Sequence, residues 1–412
     1  MTVANEPSSL QARLQGQLRN AYENVPFYRR LYDAAGVKPA DVKAEADLRL
    51  LPMITREQII QDQRDHPPFG SFPCPREKLG RVNLIASTYY VVTTHADQRA
   101  IVQTLGEVFE LMGVRSNDLV DVASAFHWVS GGTQIDAGLR SLGAAVIPGG
   151  PGQSEQRLRV LKDTGATVLQ AFTPYAEELS RRFEAEGIDA ARDLHVRLLL
   201  IGGELRDSKA KQRLQEAWGG AAVREHYGLS EAGIVAAECF EVGDGMHMSS
   251  HCILEVIDPD SGLPVESGMP GEVVTTELQR SAQPFIRFRT GDITEGIRTD
   301  ACACGRRTPR LGRILGRRAQ IPRVRGLFVP PALIERALRE FPEAGAWHLV
   351  ITRPGTTDVA TVQVELPPAY ARTADLVRSL KSAVGITMQI EPVPQGSIGP
   401  SAAQIEDQRV CQ

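Results

Sequence analysis

The sequence predicts an α/β protein. A large N-terminal domain of mostly parallel sheet wrapped by helices, with a small antiparallel β part, is followed by a small mobile α+β C-terminal domain. Three observations carry this. From about Asp118, short apolar runs alternate with helical patterns that stop at glycine, as strands and helices do in a largely parallel sheet. "HCILEVIDPDSG" and "GEVVTTEL" then read as antiparallel strands joined by a turn. Last comes a helix–strand–strand–helix–strand series of about a hundred residues. A chain of 412 residues, at roughly 100–200 residues per domain, has room for two or three domains. The boundary is placed near Gly316, giving 1–315 and 316–412.

The elements follow in order. Leu10, Leu14 and Leu18 recur at four-residue spacing in an amphipathic helix that Ser8 or Ser9 can cap and that Pro26 ends. "LVDVASAF", "AAVIPGG", "ATVLQAF", "RLLLIGGE" and "AVREHYG" are strand-like. Between them "QIDAGLRSLG", "SEQRLRVLKDTG", "TPYAEELSRRFEAEG" and "SKAKQRLQEAWG" have helical period. Ligands of such sheets gather at the carboxyl ends of the strands. "GRRAQIPRVRG" reads as a hinge; beyond it "PPALIERALREF" and "TADLVRSLKSAVG" are helices, and "WHLVITRP", "VATVQVEL" and "TMQIEPVP" strands.

Composition narrows the classes. Hydrophobic residues are 42% and charged residues 23%, with a formal net charge of -4. This is an ordinary soluble composition without the basic footprint of a nucleic-acid binder. No apolar run approaches the ~20 residues that span a bilayer, and the N-terminus lacks a signal-peptide core. The expectation is a cytoplasmic protein, without nucleic-acid or membrane partners. Six cysteines are not a disulfide framework in that compartment. Cys239 and His247 flank a Gly-rich turn, and "CACG" adds Cys302 and Cys304. Four such ligands from two turns suit a structural tetrahedral zinc, with His251 as the substitute for His247.

Four motifs carry the chemistry. "HYGLSE" at His226–Glu231 places an aromatic and a glycine against a flat ring, with a hydroxyl and a carboxylate beyond. Its bland reading is a strand-to-helix turn capped by Ser230. "IGGE" at Ile201–Glu204 closes a strand with two glycines, allowing close backbone approach. "RFRTGD" spans Arg287–Asp292 and "GRILGR" Gly312–Arg317.

In this order and spacing the motifs resemble the adenylate-forming superfamily of acyl- and aryl-CoA ligases, specifically its phenylacetate–CoA ligase-like branch. "AYENVPFYRRLYDAAGV", "LRLLPMITREQI", "RPGTTD" and "VPQGSI" extend the resemblance to nearly the whole chain. It implies that Gly203 and Glu204 line a base pocket with Tyr227 and Gly228. Ser230 and Glu231 would face phosphate and magnesium. Asp292 would bind ribose, helped by Arg313 or Arg317. Phe126 would lie against the substrate ring, and Gly326 would border the pantetheine tunnel. A dimer is the branch's habit.

The chain departs from the branch three times around one chemistry. "ASTYYVVTTHAD" stands where a Ser/Thr/Gly-rich phosphate loop with its lysine belongs, and it holds neither glycine nor lysine. A phosphate cradle relies on backbone N–H groups that glycines present, whereas Tyr89, Tyr90, Val91 and Val92 make a bulky, strand-like segment. The acidic pair of the hinge is replaced by Ala319 and Gln320. Near the end Gln404 stands closest to the expected catalytic lysine, and Lys381 lies on a helix remote from that motif.

Losing a catalytic cation costs several kcal/mol of transition-state stabilisation. The leading expectation is therefore an acyltransferase that uses neither ATP nor magnesium. It would move an aromatic acyl group, such as anthraniloyl or benzoyl, from an aryl-CoA thioester to the phosphopantetheine of an acyl carrier protein. His127 or His226 would deprotonate the incoming thiol; a covalent relay through Cys74 or Cys252 is the alternative route. The other readings are an ATP-dependent aryl-CoA ligase and a non-catalytic relative that binds an aromatic acid or CoA ester.

Overall fold

The computed structural model describes residues 7–202, 208–241, 245–325, 327–354, 357–368, 370–399 and 404–409. Gly203, Glu204 and Gly326 lie outside the described residues. The chain divides into two compact units, one of 1–290 with 294–313 and one of 291–293 with 314–412.

The first unit opens on two helices, Pro7–Asn24 and Pro26–Ala35. Ser8 and Ser9 fall inside the first turn, so neither is the cap that the sequence suggests. Pro26 does end the first helix, and it also starts the second at its first position, where a missing N–H costs nothing. Leu14, Leu18, Tyr28 and Tyr32 are fully buried with Phe285 and Phe288. The Tyr28 hydroxyl donates to the Pro284 carbonyl and accepts from the Ile286 amide.

A nine-stranded sheet forms the centre of this unit. Its parallel part runs Ala145–Ile147, Leu119–Val122, Val168–Phe172, Leu198–Gly202 and Ala222–Leu229 in spatial order. Four antiparallel strands extend it from Gly233–Ala237 outward. Alternate residues of the parallel strands serve two cores. Leu169, Ala171, Leu199, Ile201 and Val223 face one set of helices. Val120, Val122, Val168, Leu198 and Leu200 face the other, which includes His95–Leu111 and Gly131–Ser141.

The expected antiparallel pair is Cys252–Ile257 with Gly271–Glu277, registered Cys252 to Glu277. "HYGLSE" is neither strand-to-helix nor capped by Ser230. It turns directly into the antiparallel strand Gly233–Ala237, with a register shift between Tyr227 and Gly228. A Cβ on Gly228 would stand 2.8 Å from the Gly233 carbonyl oxygen, so the bulged hairpin needs glycine there.

In the second unit the helices Pro331–Leu338 and Thr373–Val384 accompany a four-stranded sheet of Gln389–Val393, Val359–Glu365, Trp347–Thr352 and Ile405–Asp407. The last strand, parallel to Trp347–Thr352, was not expected from the sequence. Its core is Ile334, Leu349, Ile351, Val362, Val364, Leu376 and Leu380.

Candidate functional site

The segment without glycine is a tight β-hairpin. Leu79–Ile85 pairs antiparallel with Tyr89–Thr94, Ile85 opposite Tyr89. Between them Ala86 and Ser87 have φ of 46° and 56°, and the Thr88 amide donates to the Ile85 carbonyl at 2.9 Å. Positive φ at both central residues is the geometry of a primed hairpin turn. Such a turn has no loop left to wrap a ligand. The outer backbone groups of the second strand are also taken. The Tyr90 amide donates to Gln63 Oε1 at 2.9 Å and the Val92 amide to Gln283 Oε1 at 2.8 Å. Gln63 Nε2 returns a bond to the Tyr90 carbonyl at 2.7 Å.

Tyr89 points inward and is buried, and its hydroxyl donates to Glu231 Oε1. The same oxygen accepts from Arg56 Nη2 at 2.9 Å and Nε at 3.3 Å. The Glu231 side chain is 2% exposed. Burial works against the Arg56 charge, but the Glu231 carboxylate outweighs it and the guanidinium holds its proton more tightly than usual. Burial, then Glu231, pushes the Tyr89 phenol up. A magnesium ligand must offer open lone pairs to a strictly octahedral ion that keeps several waters. Here an internal cation and a phenol both hold Oε1 of the carboxylate.

The other residues that the sequence singled out separate into several places. Ser230 is half-buried, and its carbonyl accepts from the buried Arg280 at 3.1 Å. Tyr227 is buried and Gly228 exposed on the hairpin. Phe126 is half-buried against the helix-covered core. His127 beside it is exposed. Asp292 is buried and pairs with Arg317 at 2.8 Å; Arg313 pairs with Glu295 at 3.3 Å instead. Gln404 is exposed, and its Nε2 donates to Glu335 Oε1 at 2.8 Å. Cys252 is buried with its thiol pushed up by burial, and Cys74 is half-buried and likewise raised.

His226 lies within the strand Ala222–Leu229, in register with Gly202, the last residue of the neighbouring parallel strand. A Cβ on Gly202 would stand 3.0 Å from the imidazole and 3.3 Å from the Phe172 ring. This glycine therefore makes room for an aromatic side chain. Neither ring nitrogen of His226 has a hydrogen-bond partner among the described residues. Burial lowers its pKa to about 4, so the ring is neutral at physiological pH.

The cysteine cluster is a separate centre. Ligand atoms of Cys239, His247, Cys302 and Cys304 all lie within 4.8 Å of one another. Cys239 and Cys302 sulfurs are 3.8 Å apart, and Cys304 Sγ is 3.4 Å from His247 Nε2. A tetrahedral zinc with bonds of about 2.3 Å to sulfur and about 2.0 Å to nitrogen would space these pairs by about 3.8 and 3.5 Å. The sulfurs are too far apart for a disulfide. His247 Nδ1 lies 3.0 Å from the Thr308 hydroxyl, a partner that orients a ligating imidazole. His251 does not join; its Nε2 lies 2.8 Å from the Ala232 carbonyl.

Known proteins match both units of the chain. The AMP-binding enzyme family model matches residues 90–279, and the AMP-binding enzyme C-terminal domain model matches 326–411. The chain is 31% identical over 413 residues to the phenylacetate-coenzyme A ligase of Thermus thermophilus, covering 93% of this chain and 91% of the relative. It is 31% identical over 403 residues to that of Escherichia coli, covering 94% and 90%. A crystal structure of an open conformation of 2-hydroxyisobutyryl-CoA ligase, in complex with 2-HIB-AMP and CoA, superposes with a TM-score of 0.85. It is 28% identical and covers 99% of this chain and 92% of that one.

Proposed function

We propose, from the premise that this chain belongs to the phenylacetate-CoA ligase-like branch of the AMP-binding enzymes, that it works on thioesters already made and transfers aromatic acyl groups between thiols. The family makes it an enzyme of the acid–thiol ligase superfamily. The narrower reading rests on one observation: the hairpin at Ala86–Thr88 leaves no phosphate loop. The occupied Glu231 carboxylate supports it, as does the exposed glutamine at position 404.

In the proposed cycle an aryl-CoA binds with its ring toward Phe126 and the end of the parallel strands. The pantetheine thiol of an acyl carrier protein gives its proton to His226, or to the exposed His127, and the thiolate attacks the thioester carbonyl. The tetrahedral intermediate collapses, the C–S bond to CoA breaks, and the departing sulfur takes up that proton. One thioester is exchanged for another, so the step is near thermoneutral. Gly203, Glu204, Tyr227, Gly228 and Ser230 would flank the acyl and nucleotide parts of CoA. Within the second unit, Asp292 with Arg317 and Gly326 keep the roles that the family resemblance implies, ribose binding and bordering pantetheine. Cys239, His247, Cys302 and Cys304 would hold a structural zinc.

The relatives favour a second reading, ATP-dependent ligation, since their printed names are those of ligases. Two incubations separate the readings. Benzoyl- or 2-aminobenzoyl-CoA with phosphopantetheinylated carrier and no ATP should give acyl carrier by mass under the first. Acid, CoA, ATP and magnesium should give AMP under the second. Neither product would point to a non-catalytic binding protein.

If His226 is the base, His226→Asn should lower kcat by about 10²- to 10⁴-fold. With its folded pKa depressed to about 4, the ring is already unprotonated above pH 5. The parent kcat should therefore show no inflection from this group between pH 5.5 and 8. Activity that survives in His226→Asn and is lost in His127→Asn would assign the role to the exposed His127.

A further inference from the structure

The sheet face beneath the helices His95–Leu111 and Gly131–Ser141 is apolar along most of its length, where Val120, Val122, Val168, Leu198 and Leu200 pack with Ile101, Leu105 and Leu139. Toward the carboxyl ends of the strands the same face turns polar. The two-residue period carries it from Val122 to Ser124, from Val168 to Gln170 and Phe172, from Leu200 to Gly202 and on the next strand to His226. The strand registers set these residues side by side, Val122 opposite Gln170 and Phe172 opposite Gly202 opposite His226. Gln134 lies on the covering helix, which begins above Ser124: a Cβ on Gly132 would stand 2.7 Å from the Ser124 carbonyl oxygen.

Ser124, Gln134, Gln170 and His226 are 3%, 6%, 0% and 9% exposed. Yet the Ser124 hydroxyl, Gln134 Nε2, both amide atoms of Gln170 and both ring nitrogens of His226 have no protein hydrogen-bond partner among the described residues. Folded proteins satisfy the large majority of their buried polar atoms, and each exception needs a reason. Four side chains on and above one end of this face share the exception. Arg224, on the same face, has its two terminal nitrogens held by the carbonyl oxygens of Val223 and Phe240, and its Nε is a further buried atom without a partner among the described residues.

We infer that Ser124, Gln134, Gln170 and His226 form a polar acyl pocket, and that its guest is an aromatic acyl group carrying a neutral hydrogen-bonding substituent, an amino or hydroxyl group on the ring. The inference rests on the thioester reading given above. The half-exposed Phe172 ring and the bare Gly202 beside it give a flat guest a wall and a floor. Both amide atoms of Gln170, one donor and one acceptor, match a group that donates and accepts. None of the four carries a formal charge while the imidazole is neutral, so a charged substituent would sit unpaired. An unsubstituted ring would leave the same atoms unsatisfied.

Equilibrium titration of the whole protein with three thioesters tests this without any turnover. 2-Aminobenzoyl-CoA and 2-hydroxybenzoyl-CoA should bind about 10- to 100-fold more tightly than benzoyl-CoA. Gln170→Met and Gln134→Met should each erode that preference by weakening the two substituted thioesters. Gln170→Met should also melt no lower than the parent, because it removes a buried amide without a protein partner. Equal or tighter binding of benzoyl-CoA, a preference intact in both variants, or a Gln170→Met protein that melts well below the parent would each overturn the assignment. If none of the three thioesters binds, the thioester reading itself fails and the pocket assignment falls with it.

Discussion

Arg56→Leu should destabilise the N-terminal unit by about 2–4 kcal/mol at pH 8, measured by urea unfolding. Removing one partner of a buried ion pair costs about 3–5 kcal/mol because the other charge is left uncompensated. The lower figure reflects Arg56, whose side chain is 31% exposed, so solvent screens part of the interaction. Glu231 is the group left stranded, 2% exposed, with the Tyr89 hydroxyl still donating to it. The double variant Arg56→Leu with Glu231→Gln should regain most of the loss. A deficit that the double variant keeps in full would mean that Arg56 contributes only packing.

Removing the metal expected at Cys239, His247, Cys302 and Cys304 should have a comparable or larger effect. The purified protein should carry about one zinc per chain by elemental analysis. Cys302→Ser should lose it and melt about 10 °C lower, since structural zinc binding is itself folding free energy. The four residues come from chain segments about sixty residues apart, and Cys239 and Cys302 are buried. Pairing of His247 with Arg310 on adjacent strands also joins these segments, and the ion would add to that contact. Metal-free protein with an unchanged melting temperature would reduce the cluster to neighbouring thiols.

Much of the architecture can be read from the chain. The five parallel strands are short β-branched or Leu-rich runs between glycine-terminated helices, so local pattern and tertiary placement agree. The four zinc candidates are also readable, because ligand spacing on two turns is a local signal. The locked carboxylate is not. Arg56 lies in "MITREQI" 175 residues before Glu231, and no local pattern announces an ion pair of that separation. Gln63 and Gln283, which occupy the outer amides of the hairpin, are hidden for the same reason. "HYGLSE" misleads in the other direction. Ser230 before an apolar run resembles a helix cap, but the bulge at Gly228 and the positive φ of Gly233 turn the chain back as a strand. The polar pocket escapes sequence reading because Ser124 follows one strand while Gln170 and His226 lie on two others, and only the strand registers join them.

The proposal also explains why Tyr89 is a tyrosine on a strand. Its ring is buried in the core of the first unit, and its hydroxyl reaches Glu231 Oε1.

The most direct test is calorimetric titration of the protein with magnesium–ATP, together with continuous pyrophosphate detection in the presence of benzoate or 2-aminobenzoate and CoA. With the hairpin closed and Glu231 held by Arg56, the account predicts no saturable heat and no pyrophosphate above the enzyme-free rate, from a preparation that still acylates a carrier from aryl-CoA. Stoichiometric nucleotide binding with steady, acid-dependent pyrophosphate release would contradict it and place this chain with the ATP-consuming ligases.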